Sequence, residues 1–275
     1  MGPRDGVTTP DSRAHMVGLD IDGTLMVTGQ PPSDAVIDSI ARATNAGHVI
    51  VLATGRSLAG ALTAAHQLGL RDGWVVASNG SVVAKLSGGA YHLTEVHEVD
   101  AEAVVTLVTR VRPNLRIAAE IVGAGYRVSA NFPRHELNGD QVVVLKFAEL
   151  WAHPTPRLAI YGDQARMLVP ALQAGGMTAF ATRRDWVDVT PATVSKATAL
   201  EKLRRDAGIP PERTVAIGDS ENDIPMLQWA ARGVAMGHAS PLVRFAASYA
   251  TKGVDADGAA LVLDSLAVPA AFRSV

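Results

Sequence analysis

The sequence predicts an α/β protein built on a parallel sheet, with a separate α+β unit inserted into it. Three observations carry this. From Met16 to Ala77, apolar runs of strand length alternate with segments of helical period. Between about 82 and 190 the rhythm changes to short strand candidates with two helical segments among them. At Ser195 the alternation resumes and continues toward the C-terminal end.

Met16 to Leu19 is a short apolar run, as a strand buried on both faces requires. Ser33 is a good N-cap, Val36, Ile37, Ile40 and Ala43 follow at helical spacing, and Gly47 closes that helix. A strand over His48–Ala53 comes next, then an Ala/Leu-rich helix from about Ser57 to Leu68. Strand Trp74–Ala77 runs into Ser78-Asn79-Gly80-Ser81. The insert offers strands at Val82–Lys85, Leu115–Ala119, Tyr126–Ala130, Val142–Phe147, Arg157–Tyr161 and Trp186–Val189, with helices near Ala101–Val111 and Gln164–Ala174. Helix 196–207, strand 214–218, helix 222–231, strand 233–236 and a helix near 258–267 complete the pattern. The expected division is a core of residues 16–81 and 191–275, an insert of residues 82–190, and a disordered tail over 1–15.

Composition narrows the function. The chain has 275 residues, 48% of them hydrophobic, so a sizeable core is available. With 25 basic and 27 acidic residues and a formal charge of −2, nothing points to nucleic acid or an anionic membrane as partner. The absence of cysteine excludes disulfides, zinc-thiolate sites and thiol nucleophiles. The first fifteen residues fit neither a secretory signal nor a membrane anchor, and no apolar run approaches the roughly 20 residues that span a bilayer. A cytoplasmic location is the expectation, and Asn79-Gly80-Ser81 then reads as a chance match to the glycosylation pattern.

The chemistry concentrates in Gly18-Leu19-Asp20-Ile21-Asp22-Gly23-Thr24-Leu25. In extended chain, residues i and i+2 point the same way, so Asp20 and Asp22 face one small volume past a strand end. Carboxylates held that close call for a cation, a shared proton or both, and Gly23 permits a sharp turn there. Taken alone this is an acidic turn. Three further pieces follow in order: Thr54-Gly55-Arg56 after the second strand, Ser195-Lys196 opening a helix, and Gly218-Asp219-Ser220-Glu221-Asn222-Asp223 after a later strand. Individually, Thr54 reads as a strand-end cap, Lys196 as an exposed helix lysine, and Asp219 with Asp223 as helix-capping acids. Arg56 and Asn79 lean toward structural roles. Other motifs fail: Gly123-Ala124-Gly125 lacks the third glycine of a dinucleotide fingerprint, Gly55-Arg56-Ser57-Leu58-Ala59 misses a serine-hydrolase elbow, and His92 and His97 read as surface residues.

Together the pieces resemble the haloacid dehalogenase superfamily of phosphohydrolases: Asp20-x-Asp22-Gly23-Thr24, Thr54, Lys196 and Gly218-Asp219-x-x-Asn222-Asp223. The large insert after the third strand, Val189-Thr190-Pro191 before Val194-Ser195-Lys196, Gly233-Val234-Ala235-Met236-Gly237 and Asp257-Gly258 look like subfamily IIB, the Cof-type phosphatases. The resemblance implies a Rossmann-like core under an α+β cap and a Mg²⁺-dependent phosphatase acting through an aspartyl phosphate. The implied substrate is a small phosphorylated metabolite: a sugar phosphate, a polyol phosphate, or a nucleotide or flavin-precursor monophosphate. The protein would be a monomer or homodimer. By the same resemblance Asp20 is the nucleophile and Asp22 the general acid and base. Asp20, the Asp22 carbonyl and Asp219 hold the metal, and Asn222 and Asp223 orient water or Lys196 from behind. Thr54, Gly55, Arg56, Asn79 and Lys196 meet phosphate or substrate. A phosphomutase of the phosphomannomutase type and a non-catalytic metabolite sensor are the alternatives. Thr193 and Ala197 stand where glycine is usual, and His238 where Asn is usual. Those departures bear on loop geometry or substrate preference, and neither site is expected to carry the core chemistry. In the insert, Lys146, Arg183 and Arg184 are the first candidates for substrate contact.

Overall fold

A computed structural model describes residues 14–267. The expected N-terminal tail, apart from Ala14 and His15, lies outside the described residues, as do residues 268–275. No helix among the described residues is long and apolar enough to cross a membrane.

The first run is β1 (Met16–Leu19), α1 (Asp34–Asn45), β2 (Val49–Ala53), α2 (Leu58–Gln67), β3 (Gly73–Ala77), β4 (Val82–Ser87) and β5 (Ala90–Val96). The insert comprises α3 (Ala101–Val111), β6 (Arg116–Ile121), β7 (Gly125–Val128), β8 (Asp140–Val143), β9 (Leu158–Tyr161), α4 (Val169–Ala174), β10 (Thr178–Arg183) and β11 (Trp186–Thr190). The chain then returns through α5 (Lys196–Asp206), β12 (Thr214–Gly218), α6 (Ile224–Trp229), β13 (Arg232–Ala235), α7 (Pro241–Ala246), β14 (Tyr249–Ala250) and α8 (Gly258–Ala267).

One sheet has eight strands in the order β14-β13-β12-β1-β2-β3-β4-β5, parallel from β14 to β3. Alternation of side chains along each strand sends Val17, Leu19, Val215 and Ile217 to the face covered by α1, α2 and α8. Met16 and Ala216 face the layer of α5, α6 and α7. Leu19 stands opposite both Ile217 and Leu52, so Asp20, Thr54 and Asp219 leave the sheet at one edge. That edge is the carboxyl end of the parallel strands. It is also the switch point of the topology, where β1 has its successor β2 on one side and the late strand β12 on the other.

The second sheet has the order β10-β11-β9-β6-β7-β8. Ile117, Ala119, Leu158, Ile160, Val187 and Val189 pack its outer face against α3 and α4. Ala118, Glu120, Tyr126, Arg157, Trp186 and Asp188 alternate with them or flank them, on the face turned to the first sheet.

The expected division at residue 82 is corrected. β4 pairs antiparallel with β3, and β5 with β4, so both extend the first sheet, and the second begins after Val96. Ser78, Asn79 and Gly80 all have positive φ (49°, 55° and 107°), which reverses the chain within the sheet plane. Gly88 and Gly89, with φ of 60° and 88°, turn β4 into β5, a geometry two glycines adopt freely. The strand expected over Val142–Phe147 ends at Val143, and Phe147–Leu150 forms a 3-10 turn.

Candidate active site

Asp20 extends the β1–β12 pairing by one bond, its N–H donating to the Ile217 carbonyl at 3.0 Å. The chain then folds tightly, Leu25 and Met26 N–H both donating to the Ile21 carbonyl. Gly23 has φ of 75°, and a Cβ there would stand 2.4 Å from Asp219 Oδ2, so both conformation and space require glycine.

Lys196, at the first position of α5 after the N-cap Ser195, is buried beneath Asp20. Its Nζ lies 2.6 Å from Asp20 Oδ1 and 2.6 Å from Asp223 Oδ1. Burial pushes the Lys196 amine down, but the two carboxylates outweigh that and hold it protonated. Both Asp223 oxygens are spent: Oδ2 accepts the backbone N–H groups of Asp219 and Ser220 at 3.0 Å each. Asp223 therefore orients Lys196 and the loop, closing a capping box with Ser220. Asn222, expected to orient water or Lys196, donates to Asn79 Oδ1 at 2.9 Å.

Carboxylate oxygens of Asp20, Asp219 and Asp223 lie within 4.8 Å of one another. Burial, then repulsion from Asp223, raises the Asp20 pKa well above the usual carboxylate range despite Lys196. The same two causes raise Asp219. Asp219 Oδ1 is buried and has no hydrogen-bond partner among the described residues. An orphaned oxygen beside crowded hard ligands fits a small divalent cation such as Mg²⁺.

Asp22 differs. Arg56 grips it with both fork nitrogens at 2.7 Å, and the Thr28 hydroxyl donates to it at 2.9 Å. Burial pushes its carboxyl up, but Arg56 and Thr28 outweigh that and hold it below the ordinary range. Arg56, read in the sequence as structural or as a substrate contact, thus engages the second aspartate directly. Thr54 is buried at the end of β2, and its Oγ1 accepts the Arg56 N–H at 3.1 Å. Asn79 is also buried, and its Oδ1, which accepts from Asn222, lies against Gly55 of the Thr54 loop.

A cavity of about 1080 Å³ opens above these residues, walled by both sheets. Asp20, Asp22, Thr54 and Arg56 form part of its floor, and Tyr126, Trp186 and Asp188 part of its roof. Of the three cations expected in the insert, Arg183 lines the cavity, paired with Glu136 and Asp185. Lys146 and Arg184 are exposed outside it. Thr193 takes the left-handed conformation, φ 66°, although it is β-branched. His238, which stands where Asn is usual in the family, touches the acidic cluster: its Nε2 lies 3.5 Å from Asp219 Oδ2. Its Nδ1 accepts the Val254 N–H at 3.4 Å, which leaves the ring proton on Nε2, facing Asp219.

The sequence profile of the haloacid dehalogenase-like hydrolases matches residues 17–263. The chain belongs to this family. A relative from Bacillus subtilis, the 5-amino-6-(5-phospho-D-ribitylamino)uracil phosphatase YitU, is 26% identical over 266 residues, 92% of this chain and 97% of its own. A haloacid dehalogenase-like hydrolase from Bacteroides thetaiotaomicron superposes with a TM-score of 0.78 at 26% identity, over 92% of this chain and 99% of that one. The fold is also that of the subclass IIB sugar phosphatase BT4131, with a TM-score of 0.77 at 22% identity over 92% and 98% of the two chains. The protein is accordingly a haloacid dehalogenase-like phosphohydrolase, a phosphoric monoester hydrolase with an α+β unit over its parallel-sheet core.

Proposed function

We propose that this enzyme is a Mg²⁺-dependent phosphatase of small phosphorylated metabolites, with Asp20 as nucleophile. The observation that carries the reading is the position of Asp20: at the switch-point edge of the sheet, between a buried ammonium and the orphaned Oδ1 of Asp219. Asp20, Asp219 and the Asp22 main-chain carbonyl are the residues to hold the ion. Bound there, Mg²⁺ neutralises carboxylate and phosphoryl charge together. Asp20 attacks phosphorus, the new carboxyl O–P bond forms, and the ester P–O bond breaks. Asp22 gives the leaving oxygen its proton and later takes one from the water that attacks the phosphorus, as the Asp20 O–P bond breaks, the carboxylate is regenerated and inorganic phosphate leaves. For the first of these steps Arg56 must release Asp22, because its fork favours the ionised carboxylate. Thr54 donates its hydroxyl, and its loop donates amides, to the transferring oxygens, while Lys196 balances the charge growing around Asp20. The cavity is of metabolite size. The Bacillus subtilis relative, a phosphatase of a phosphorylated ribitylaminouracil by its name, supports keeping flavin precursors on the substrate panel beside sugar, polyol and nucleotide monophosphates.

The test is phosphate release from such a panel with Mg²⁺, repeated with EDTA and with Asp20→Asn. Wild type should turn over at least one ester in a Mg²⁺-dependent manner, and Asp20→Asn should fall to background, as removed nucleophiles lose several decades of rate. Retention of more than a few per cent of wild-type turnover by a variant free of deamidation would overturn the assignment.

A further inference from the structure

Four ionisable side chains of the second sheet meet beneath the cavity roof: Glu120 of β6, Tyr126 of β7, Arg157 just before β9 and Asp188 of β11. Glu120, Arg157 and Asp188 are at most 4% exposed. Arg157 donates through Nε to Glu120 Oε2 at 3.2 Å, through Nη1 to Asp188 Oδ1 at 3.1 Å, and through Nη2 to the Tyr126 hydroxyl. The sheet could be held together more cheaply, since apolar residues in place of a buried ion pair are often neutral or stabilising. These groups also bond across to the first sheet. Arg157 Nη1 donates to the Gly55 carbonyl at 2.6 Å. Glu120 accepts the Leu58 N–H at 3.2 Å and the Ser78 hydroxyl at 2.6 Å.

Gly55 is the middle residue of Thr54-Gly55-Arg56. The peptide whose carbonyl accepts from Arg157 is the one whose N–H, on Arg56, donates to Thr54 Oγ1. Fixing one end of a planar unit fixes the other. With one lone pair of Thr54 Oγ1 so engaged, its hydroxyl proton is left for another acceptor. The next peptide is held too: the Arg56 carbonyl accepts the Ser78 N–H at 2.8 Å, and the Ser78 hydroxyl is the one bonded to Glu120. We propose that Glu120 and Arg157 are positioning residues, which reach across from the cap to hold the 54–58 loop and aim the Thr54 hydroxyl at the transferring phosphoryl group. This rests on the phosphatase reading above.

The role predicts coupling between Arg157 and Thr54, and indifference to the leaving group. Arg157→Lys and Glu120→Gln are both made, alone and with Thr54→Ala. kcat/KM is measured for an alkyl and an aryl phosphate, and orthovanadate affinity by calorimetry. Each single variant should lose about 10- to 100-fold in kcat/KM, by the same factor for both esters, and should weaken vanadate in parallel. In the Thr54→Ala background the same substitutions should cost less than about 3-fold, because the group they aim is gone. Thr155→Val removes buried hydrogen bonds to the Glu120 and Arg157 carbonyls while leaving both charged side chains. It should lower the melting temperature yet keep turnover within about twofold. Glu120→Gln is isosteric and settles the matter if Arg157→Lys does not fold. Losses undiminished by Thr54→Ala, or losses that reorder the two esters, overturn the positioning role while the phosphatase stands. A wild-type protein that neither hydrolyses the panel nor binds vanadate takes down the phosphatase reading and this proposal together.

Discussion

Asp20 and Asp22 stand two residues apart and titrate in opposite directions. Burial and Asp223 raise Asp20; Arg56 and Thr28 overcome burial and lower Asp22. The raised group carries a stability cost. Folded Asp20 holds its proton more tightly than the unfolded chain does, so the cost is absent below the ordinary carboxylate pKa of about 4. It grows as pH rises through the raised value and is complete above it. With EDTA present, Asp20→Asn should therefore melt above wild type near pH 7, and the gap should close as pH approaches about 4. Excess Mg²⁺ should narrow the gap at neutral pH, because it binds the folded wild type more tightly than a variant lacking one ligand. A variant melting at or below wild type near pH 7 would mean that the lost bond to Lys196 outweighs the relieved repulsion. Asp20, Asp22, Thr54, Lys196 and Asp219 were all legible in the sequence, because each sits at a strand or helix end that the apolar pattern marks. Glu120 and Arg157 were not: their partners lie 62 and 102 residues away in Leu58 and Gly55, and no local spacing encodes such a pairing. His238 was visible as a departure, but its contact with Asp219 exists only once β13 lies beside β12.

Secondary structure selects which side chains of the insert face the cavity. In β11, Trp186 and Asp188 alternate with Val187 and Val189, so one pair roofs the cavity while the other packs on α3 and α4. The end of β10 carries Arg183 to the same wall, whereas Lys146 follows β8 at the far edge of the sheet. Arg183→Ala should thus change the ranking of substrates across the ester panel at unchanged Mg²⁺ affinity, and Lys146→Ala and Arg184→Ala should leave that ranking alone. An unchanged ranking for Arg183→Ala would place the discriminating groups elsewhere on the roof. The elements differ in how plainly the sequence marks them. α3, β12 and α8 fall on their expected residues, and β1 does too, because strong period or continuous apolarity marks them. β5 was missed because it lies at the sheet edge and stays largely exposed, with no apolar run. Gly88-Gly89 was the available signal for that hairpin. α7 carried its own mark, Ser240 capping a helix with Pro241 at its first position.

At the scale of the whole molecule, the two sheets divide the work. The first holds the candidate catalytic groups at one edge; the second roofs them and ties itself to the 54–58 loop through Arg157 and Glu120. The alternation of strands and helices made the first sheet legible. The placement of the second depends on buried polar bonds that no periodicity records. Those bonds bear on what the enzyme accepts. A metabolite fits a cavity of about 1080 Å³, whereas a phosphoserine on a folded protein is expected to reach Asp20 only with the roof swung aside. Swinging it aside exposes Glu120, Arg157 and Asp188 and breaks the bond of Arg157 to Gly55 and those of Glu120 to Leu58 and Ser78, the contacts that hold the Thr54 loop. Hydrogen bonds to charged groups are worth about 1.5–3 kcal/mol each, so losing several together is a steep barrier to a large substrate. Free sugar or polyol phosphates should be hydrolysed readily, while phosphoserine in a folded phosphoprotein should persist under the same enzyme and Mg²⁺. A phosphate-release assay, with the phosphoprotein followed by intact mass, makes the comparison. Dephosphorylation of the protein at a rate comparable with the small esters would show that the roof opens freely and that the Arg157–Gly55 tie does not restrain it.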